Sequence, residues 1–264
     1  MYVAMSSPLS SIVLVPGAWH TPDCFDQFRS VLSELNLSSS AVANPSVGDA
    51  TVSKTLTDDV DNLRSVITQL IEQEDKFITV LAHSYGGMVA SGAVKDLGYA
   101  ERKRIGKRGG VVMVVYLAAC AIPEGMTVVQ SCGGSPAPWW EYKGNQIFAN
   151  DRNISNPAHT LYNDLPPTMQ EQAISKLQPI NAACFDMPNS YEPWRDMPCT
   201  YIFAERDNCV PLPGQHYFVG LMGDGVATAS LSTSHSPFLS QPRELAALVQ
   251  RAVHEGLKKA GAFD

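Results

Sequence analysis

The residues whose types and spacing suit covalent chemistry lie in 76–88, KFITVLAHSYGGM. Phe77, Ile78, Thr79, Val80 and Leu81 have the composition of a strand buried on both faces of a parallel sheet. That run stops at Ala82, and Met88, Val89, Ala90, Ala93 and Val94 continue with helical spacing. Ser84 stands at the junction, with the small residues Ala82 and Gly86 two positions to either side. A chain turning sharply from strand to helix needs small side chains at those positions, and the turn lifts the serine hydroxyl above the sheet as a nucleophile elbow. The helix that follows directs N–H groups toward developing negative charge. A serine that only caps a helix would need neither the buried strand before it nor the small-residue helix after it.

A serine hydroxyl is a weak nucleophile until a base takes its proton, and the base needs a third group to orient it. In the order serine, acid, histidine, three histidines qualify: His216, His235 and His254. His216 and His254 fall inside helical patterns. His235 lies in STSHSP, between the last apolar strand and the last helix, and is the expected base. Glu205 and Asp207 both follow the apolar run CTYIFA; Asp207, which opens DNCVP, is the expected acid and Glu205 the reserve. The backbone N–H groups of Tyr85, after the serine, and Ala18, in the turn PGAWH, are the natural donors to an oxyanion. His20 and His83 flank these residues and are read as loop packing. No HExxH or clustered His/Cys spacing suggests a metal, and no cofactor is expected.

The elements that must position these groups can be read in order. Residues 11–16 (SIVLVP) are a buried strand, and 22–35 a helix with Thr21 as cap and Pro22 at its first position. Residues 40–43 make a weak second strand. Leu56, Val60, Leu63, Ile67 and Leu70 mark an amphipathic helix with an acidic opening at Asp58, Asp59 and Asp61. After the serine helix, 110–117 (GVVMVVYL), 199–204 and 226–231 are further strands, with helices at 215–221 and 244–257. Unbroken apolar strands alternating with helices predict an α/β fold, a mostly parallel sheet covered on both faces. This core comprises 1–120 and 198–264. Between them, 121–197 shows no legible strand, one helix at 169–177, frequent prolines and many aromatic residues. Such an insertion reads as a lid, with Trp139, Trp140, Phe148, Phe185 and Trp194, together with Trp19, as candidate contacts to a hydrophobic substrate.

The net charge of −7 over 264 residues argues against nucleic acid and anionic membranes as partners. The basic stretch 102–108, RKRIGKR, is interrupted by glycine and reads as a solvated loop. The N-terminus lacks the pattern of a signal peptide, and no stretch is long enough to span a bilayer. Six cysteines without a CxxC pair suggest reduced thiols and a cytoplasmic location. The expected partner is a small hydrophobic ester or lactone, and a homo-oligomer is compatible with the sequence.

With PGAWH, AHSYGG, DNCVP and SHSPF in this order, the chain resembles the α/β-hydrolase superfamily over essentially its full length. More narrowly it resembles the branch that holds plant methyl-ester esterases and hydroxynitrile lyases, and small fungal hydrolases. The resemblance implies a catalytic triad of Ser84, Asp207 and His235 and an oxyanion hole at Ala18 and Tyr85. The chain departs from it at Ala82, where the usual pattern has glycine, and at Pro16, where many members have histidine. Ser236 stands where the related hydroxynitrile lyases carry a catalytic lysine, which weighs against lyase chemistry. Ester or lactone hydrolysis through an acyl-enzyme is therefore expected. A lyase or isomerase, an acyltransferase or cyclase, and a ligand-binding module on the same fold are the alternatives.

Overall fold

In the computed structural model, residues 10–48, 53–149 and 156–262 are described. Six residues at 150–155, part of the expected lid, and the N-terminal residues 1–9 lie outside that description. Strands β1 (Ser10–Val15), β2 (Ser39–Ala41), β3 (Phe77–His83), β4 (Gly110–Leu117), β8 (Cys199–Ala204) and β9 (Ala227–Leu231) form one sheet in the order β2-β1-β3-β4-β8-β9. Every pairing in it is parallel.

An apolar strand buried on both faces sorts its side chains by parity. In β1, Ile12 and Leu14 face one layer and Val13 and Val15 the other. The first layer packs against α1 (Asp26–Glu34) and the closing helix Pro242–Lys259. The second lies under α2 (Leu56–Glu74) and α3 (Gly86–Ala93), and the inserted segment joins it through Trp140, Ile147, Tyr162 and Phe185. Parallel strands require long crossovers, so each strand delivers its C-terminal end, and the loop leaving it, to the same edge. Ser84, His20, Asp207 and His235 all follow such ends.

Three local expectations differ from what is found. The first helix opens as a 3-10 turn at Pro22–Phe25 before α1 begins, and Thr21 gives no capping bond, its hydroxyl turning instead to the Asp23 carboxylate. The basic stretch is exposed from Lys103 to Arg108, as read, but not at its first residue. It begins in α4 (Tyr99–Arg104), where the buried Arg102 pairs with Glu72 at 2.7 Å and donates to the carbonyls of Arg108 and Gly109. A buried guanidinium needs this many acceptors, and single-letter charge counting does not reveal them. The insertion, finally, contains strands. After α5 (Val128–Ser131), β5 (Glu141–Lys143) and β6 (Gln146–Phe148) pair as an antiparallel hairpin, to which β7 (Ile180–Asn181) adds. Helices α6 (Pro157–Thr160), α7 (Pro167–Ser175) and α8 (Ala183–Asp186) complete it. Strands of two or three residues leave too short a period-2 signal to read.

Candidate active site

Ser84 follows β3 at φ 55°, a left-handed conformation that costs an L-residue about 1–3 kcal/mol. The surrounding backbone holds it there. Its N–H donates to the Leu117 carbonyl at 3.2 Å, and its own carbonyl accepts from Gly87 at 2.9 Å and Cys120 at 3.0 Å. Glycine is required on both sides of this turn. A Cβ at Gly86 would stand 2.7 Å from the carbonyl oxygens of Val15 and Pro16, and one at Gly17 would stand 2.8 Å from the Ser84 Cβ. The turn that follows β1 therefore lies directly against the serine. Ala82 is fully buried beneath it.

His235 and Asp207 meet as the spacing predicts. Asp207 Oδ2 is 2.6 Å from His235 Nδ1, with both side chains buried. Asp207 Oδ1 accepts from the N–H groups of Cys209 at 2.7 Å and Val210 at 3.0 Å, so the carboxylate is fixed by its own loop. A carboxylate accepts, hence Nδ1 carries the proton and Nε2 keeps the lone pair that a general base needs. Glu205 does not join this pair; its side chain is exposed and its backbone N–H bonds to Leu231. Among the described residues, neither the Ala18 nor the Tyr85 N–H donates to a protein acceptor, which leaves both free for an oxyanion.

Four groups given no catalytic part by the sequence lie beside these residues: His20 and His83, read as loop packing, Asp59, read as part of a helix opening, and Asp164. The His83 ring lies 4.5 Å from that of His235, and its Nε2 is 2.8 Å from the His235 carbonyl oxygen. Burial holds the His83 pKa well below the ordinary histidine value. His20, also buried, is lowered to about 4 by desolvation. Its Nδ1 is 2.8 Å from the Ala18 carbonyl oxygen and its Nε2 is 2.8 Å from the Tyr162 hydroxyl. Asp59, read from sequence as part of an acidic helix opening, turns inward and accepts from the Tyr85 hydroxyl at 2.7 Å and from the Ser46 N–H at 2.8 Å. Desolvation raises its pKa. Asp164 of the insertion accepts from the Ser234 N–H at 2.9 Å, next to His235. Apart from Ala18, two residues from His20, these partners are distant in sequence, and no motif marks them.

The aromatic candidates divide. Trp19 contacts Trp139 at 5.2 Å and Phe185 at 5.8 Å between ring centroids, and Phe185 contacts Trp140 at 4.6 Å and Tyr85 at 5.8 Å. Trp19 Nε1 also donates to the Ile147 carbonyl at 2.9 Å. These four candidates form one cluster that reaches from Trp19, next to Ala18, to the Tyr85 ring. Phe148 and Trp194 stand apart: Lys143 lies over the Phe148 ring, and Trp194 rests on Tyr116 at 6.0 Å. Among the described residues there is no group of three or more His, Cys, Asp and Glu side chains arranged to hold a metal ion. None of the described helices is long and apolar enough to cross a membrane. Cys209 contributes its backbone to the acid loop, while burial raises its thiol pKa well above the ordinary value.

The model of the alpha/beta hydrolase family matches residues 12–248. The alpha/beta hydrolase nvfD of Aspergillus novofumigatus is 28% identical over 254 residues, covering 94% of this chain and 98% of that protein. Norfluorocurarine synthase 2 of Strychnos nux-vomica is 26% identical over 269 residues, with coverage of 93% and 96%. Among solved structures, polyneuridine aldehyde esterase is similar with a TM-score of 0.71 at 17% identity, over 92% of this chain and 98% of the other. A form of the pyrethroid hydrolase PytH reaches 0.73 at 19% identity, over 95% and 99%. At these identities the structures speak to the fold.

Proposed function

The chain belongs to the alpha/beta hydrolase family, and on that premise we propose that it is a serine hydrolase that cleaves a hydrophobic ester or lactone through an acyl-enzyme. The observation that carries this reading is the set of groups that four strand-end loops present at one edge of the sheet. They present a serine in a left-handed turn, a histidine whose Nδ1 is engaged by a buried carboxylate, and two N–H groups that no protein acceptor uses. In this reading Ser84 Oγ attacks the substrate carbonyl while His235 Nε2 takes its proton. The carbonyl oxygen becomes an oxyanion, held by the N–H groups of Ala18 and Tyr85. Collapse expels the alcohol, which leaves with the proton from His235. Water, deprotonated by the same nitrogen, then releases the acid and restores Ser84. Asp207 holds the imidazole in the tautomer that both steps need.

The cluster of Trp19, Trp139, Trp140 and Phe185 supports a substrate with a bulky apolar part. A fluorophosphonate, which phosphonylates an activated serine, should label Ser84 alone, as mapped by mass spectrometry. Ser84→Ala should abolish labelling and lower kcat by roughly a thousandfold or more. Labelling of another residue, or full activity in the variant, would overturn the assignment.

A further inference from the structure

We propose that His20 is a positioning residue for the oxyanion turn and that the inserted segment holds it in place, Tyr162 donating to His20 Nε2 and His20 Nδ1 donating to the Ala18 carbonyl. The inference rests on the reading above, in which Ser84 is the nucleophile and Ala18 an oxyanion donor.

The direction of the relay follows from the chemistry of its ends. The Ala18 carbonyl can only accept, so at 2.8 Å the facing Nδ1 must carry the proton. In the neutral ring Nε2 is then an acceptor, and the Tyr162 hydroxyl at 2.8 Å must donate to it. Both bonds are buried, with His20 5% and Tyr162 1% exposed, so water does not compete for them. The ring is further confined on edge by His83 at 5.8 Å and Phe238 at 6.3 Å.

The turn's other bonds include a long one from the His20 N–H to the Gly17 carbonyl at 3.4 Å and one from Asn44 Nδ2 to the Pro16 carbonyl at 3.0 Å, so the His20 ring adds a short bond where the backbone supplies a weak one. Gly17 has no side chain to anchor it, and it lies against Ser84 where a Cβ would collide. Trp19 takes φ 65°, so the peptide joining Ala18 to Trp19 is twisted out of the β1 line. The Ala18 N–H lies in the Gly17–Ala18 peptide and its C=O in the next, so fixing the carbonyl restricts the donor through the one Cα between the two planes. The insertion holds this turn from both sides, since Trp19 Nε1 also donates to Ile147 of β6. His20 also lines a cavity of about 390 Å³ together with Cys24, Tyr162, Leu165, Met169 and Leu239. Without Tyr162 the ring has room there to move away from the carbonyl.

A role confined to fastening the insertion would change stability and substrate affinity, whereas a role in the oxyanion turn changes transition-state stabilisation. The test uses the full chain, a short p-nitrophenyl ester, and an alkyl boronic acid, to whose boron Ser84 Oγ adds so that a boron-bound oxygen sits at the oxyanion position. Tyr162→Phe should lower kcat about tenfold with KM within about twofold, and weaken the boronic acid by the same factor as kcat/KM. His20→Ala should lose about a hundredfold. His20→Asn, whose amide N–H can stand where Nδ1–H does, should recover most of that loss, and adding Tyr162→Phe to it should cost nothing more. Should His20→Ala not fold, the His20→Asn pair carries the test. Wild-type kcat and boronic acid affinity in Tyr162→Phe overturn the relay. A loss confined to KM or to melting temperature overturns it equally. The two readings fail separately: an active Ser84→Ala removes the nucleophile, whereas an inactive Ser84→Ala beside an unaffected Tyr162→Phe removes only the relay.

Discussion

The sheet and the inserted segment hold the candidate site by different means. Ser84 and Asp207 are fixed by backbone: strand ends, main-chain bonds to Leu117, Gly87 and Cys120, and the N–H groups of Cys209 and Val210. The insertion reaches the site through single side chains laid on three loops. Tyr162 bonds to His20, Asp164 to Ser234, and Asn163 to the Arg206 carbonyl at 3.1 Å. Backbone fixation depends on fold and tolerates most substitutions. Side-chain fixation can be removed one residue at a time, so the sheet should hold the presence of activity and the insertion its rate and selectivity.

The largest effect expected on the sheet side is at the acid. Asp207→Asn should lower kcat on the order of a thousandfold or more by favouring the wrong imidazole tautomer, whereas Glu205→Gln, on an exposed side chain, should change it little. Steady-state kinetics on the two variants decide this, and a dead Glu205→Gln would move the acid.

A second expectation concerns acid, at the point where the two regions meet. His20 is lowered from 6.5 to about 4, so the folded state binds fewer protons than the unfolded chain between those values. The stability this neutral ring contributes is full above pH 6.5 and is lost as the pH falls through about 4. The loss amounts to on the order of 3 kcal/mol. Urea unfolding at pH 7 and pH 4 should show a larger acid-induced loss in the wild type than in His20→Asn. Equal losses would mean that this ring does not carry the difference.

On the insertion side, Asp164→Ala leaves the buried Ser234 N–H without its carboxylate and frees the segment that carries His235. A drop of about tenfold in kcat is expected, in keeping with one buried charge-assisted bond acting through a loop. Unchanged turnover would show that the base loop needs no brace.

The smallest effect belongs to substrate choice. If the cluster of Trp19, Trp139, Trp140 and Phe185 borders the acyl site, each added CH₂ is worth up to about 0.8 kcal/mol, roughly fourfold in kcat/KM. A series of p-nitrophenyl esters measures the slope, which alanine at Trp139 should flatten and alanine at Phe148 or Trp194 should not. A flat series in the wild type would detach the insertion from selectivity.

What the sequence determined by itself is what short-range patterning encodes. Unbroken apolar runs specify strands buried on both faces, small residues around Ser84 specify a tight strand-to-helix turn, and their order specifies which loops share one sheet edge. The pairing of Asp207 with His235 was legible for the same reason, since both follow strand ends. Only the tertiary structure decided the partners that no spacing announces. Asp59 looked like one more acid at a helix start until burial set it against Tyr85, and Arg102 like a solvated charge until the fold closed Glu72 and two carbonyls around it. His20 and Tyr162 lie 142 residues apart and meet only because the insertion folds back over the first strand. Contacts of this kind arise from the need to satisfy each buried polar group in whatever surroundings the packing creates, and those surroundings do not exist until the chain has folded.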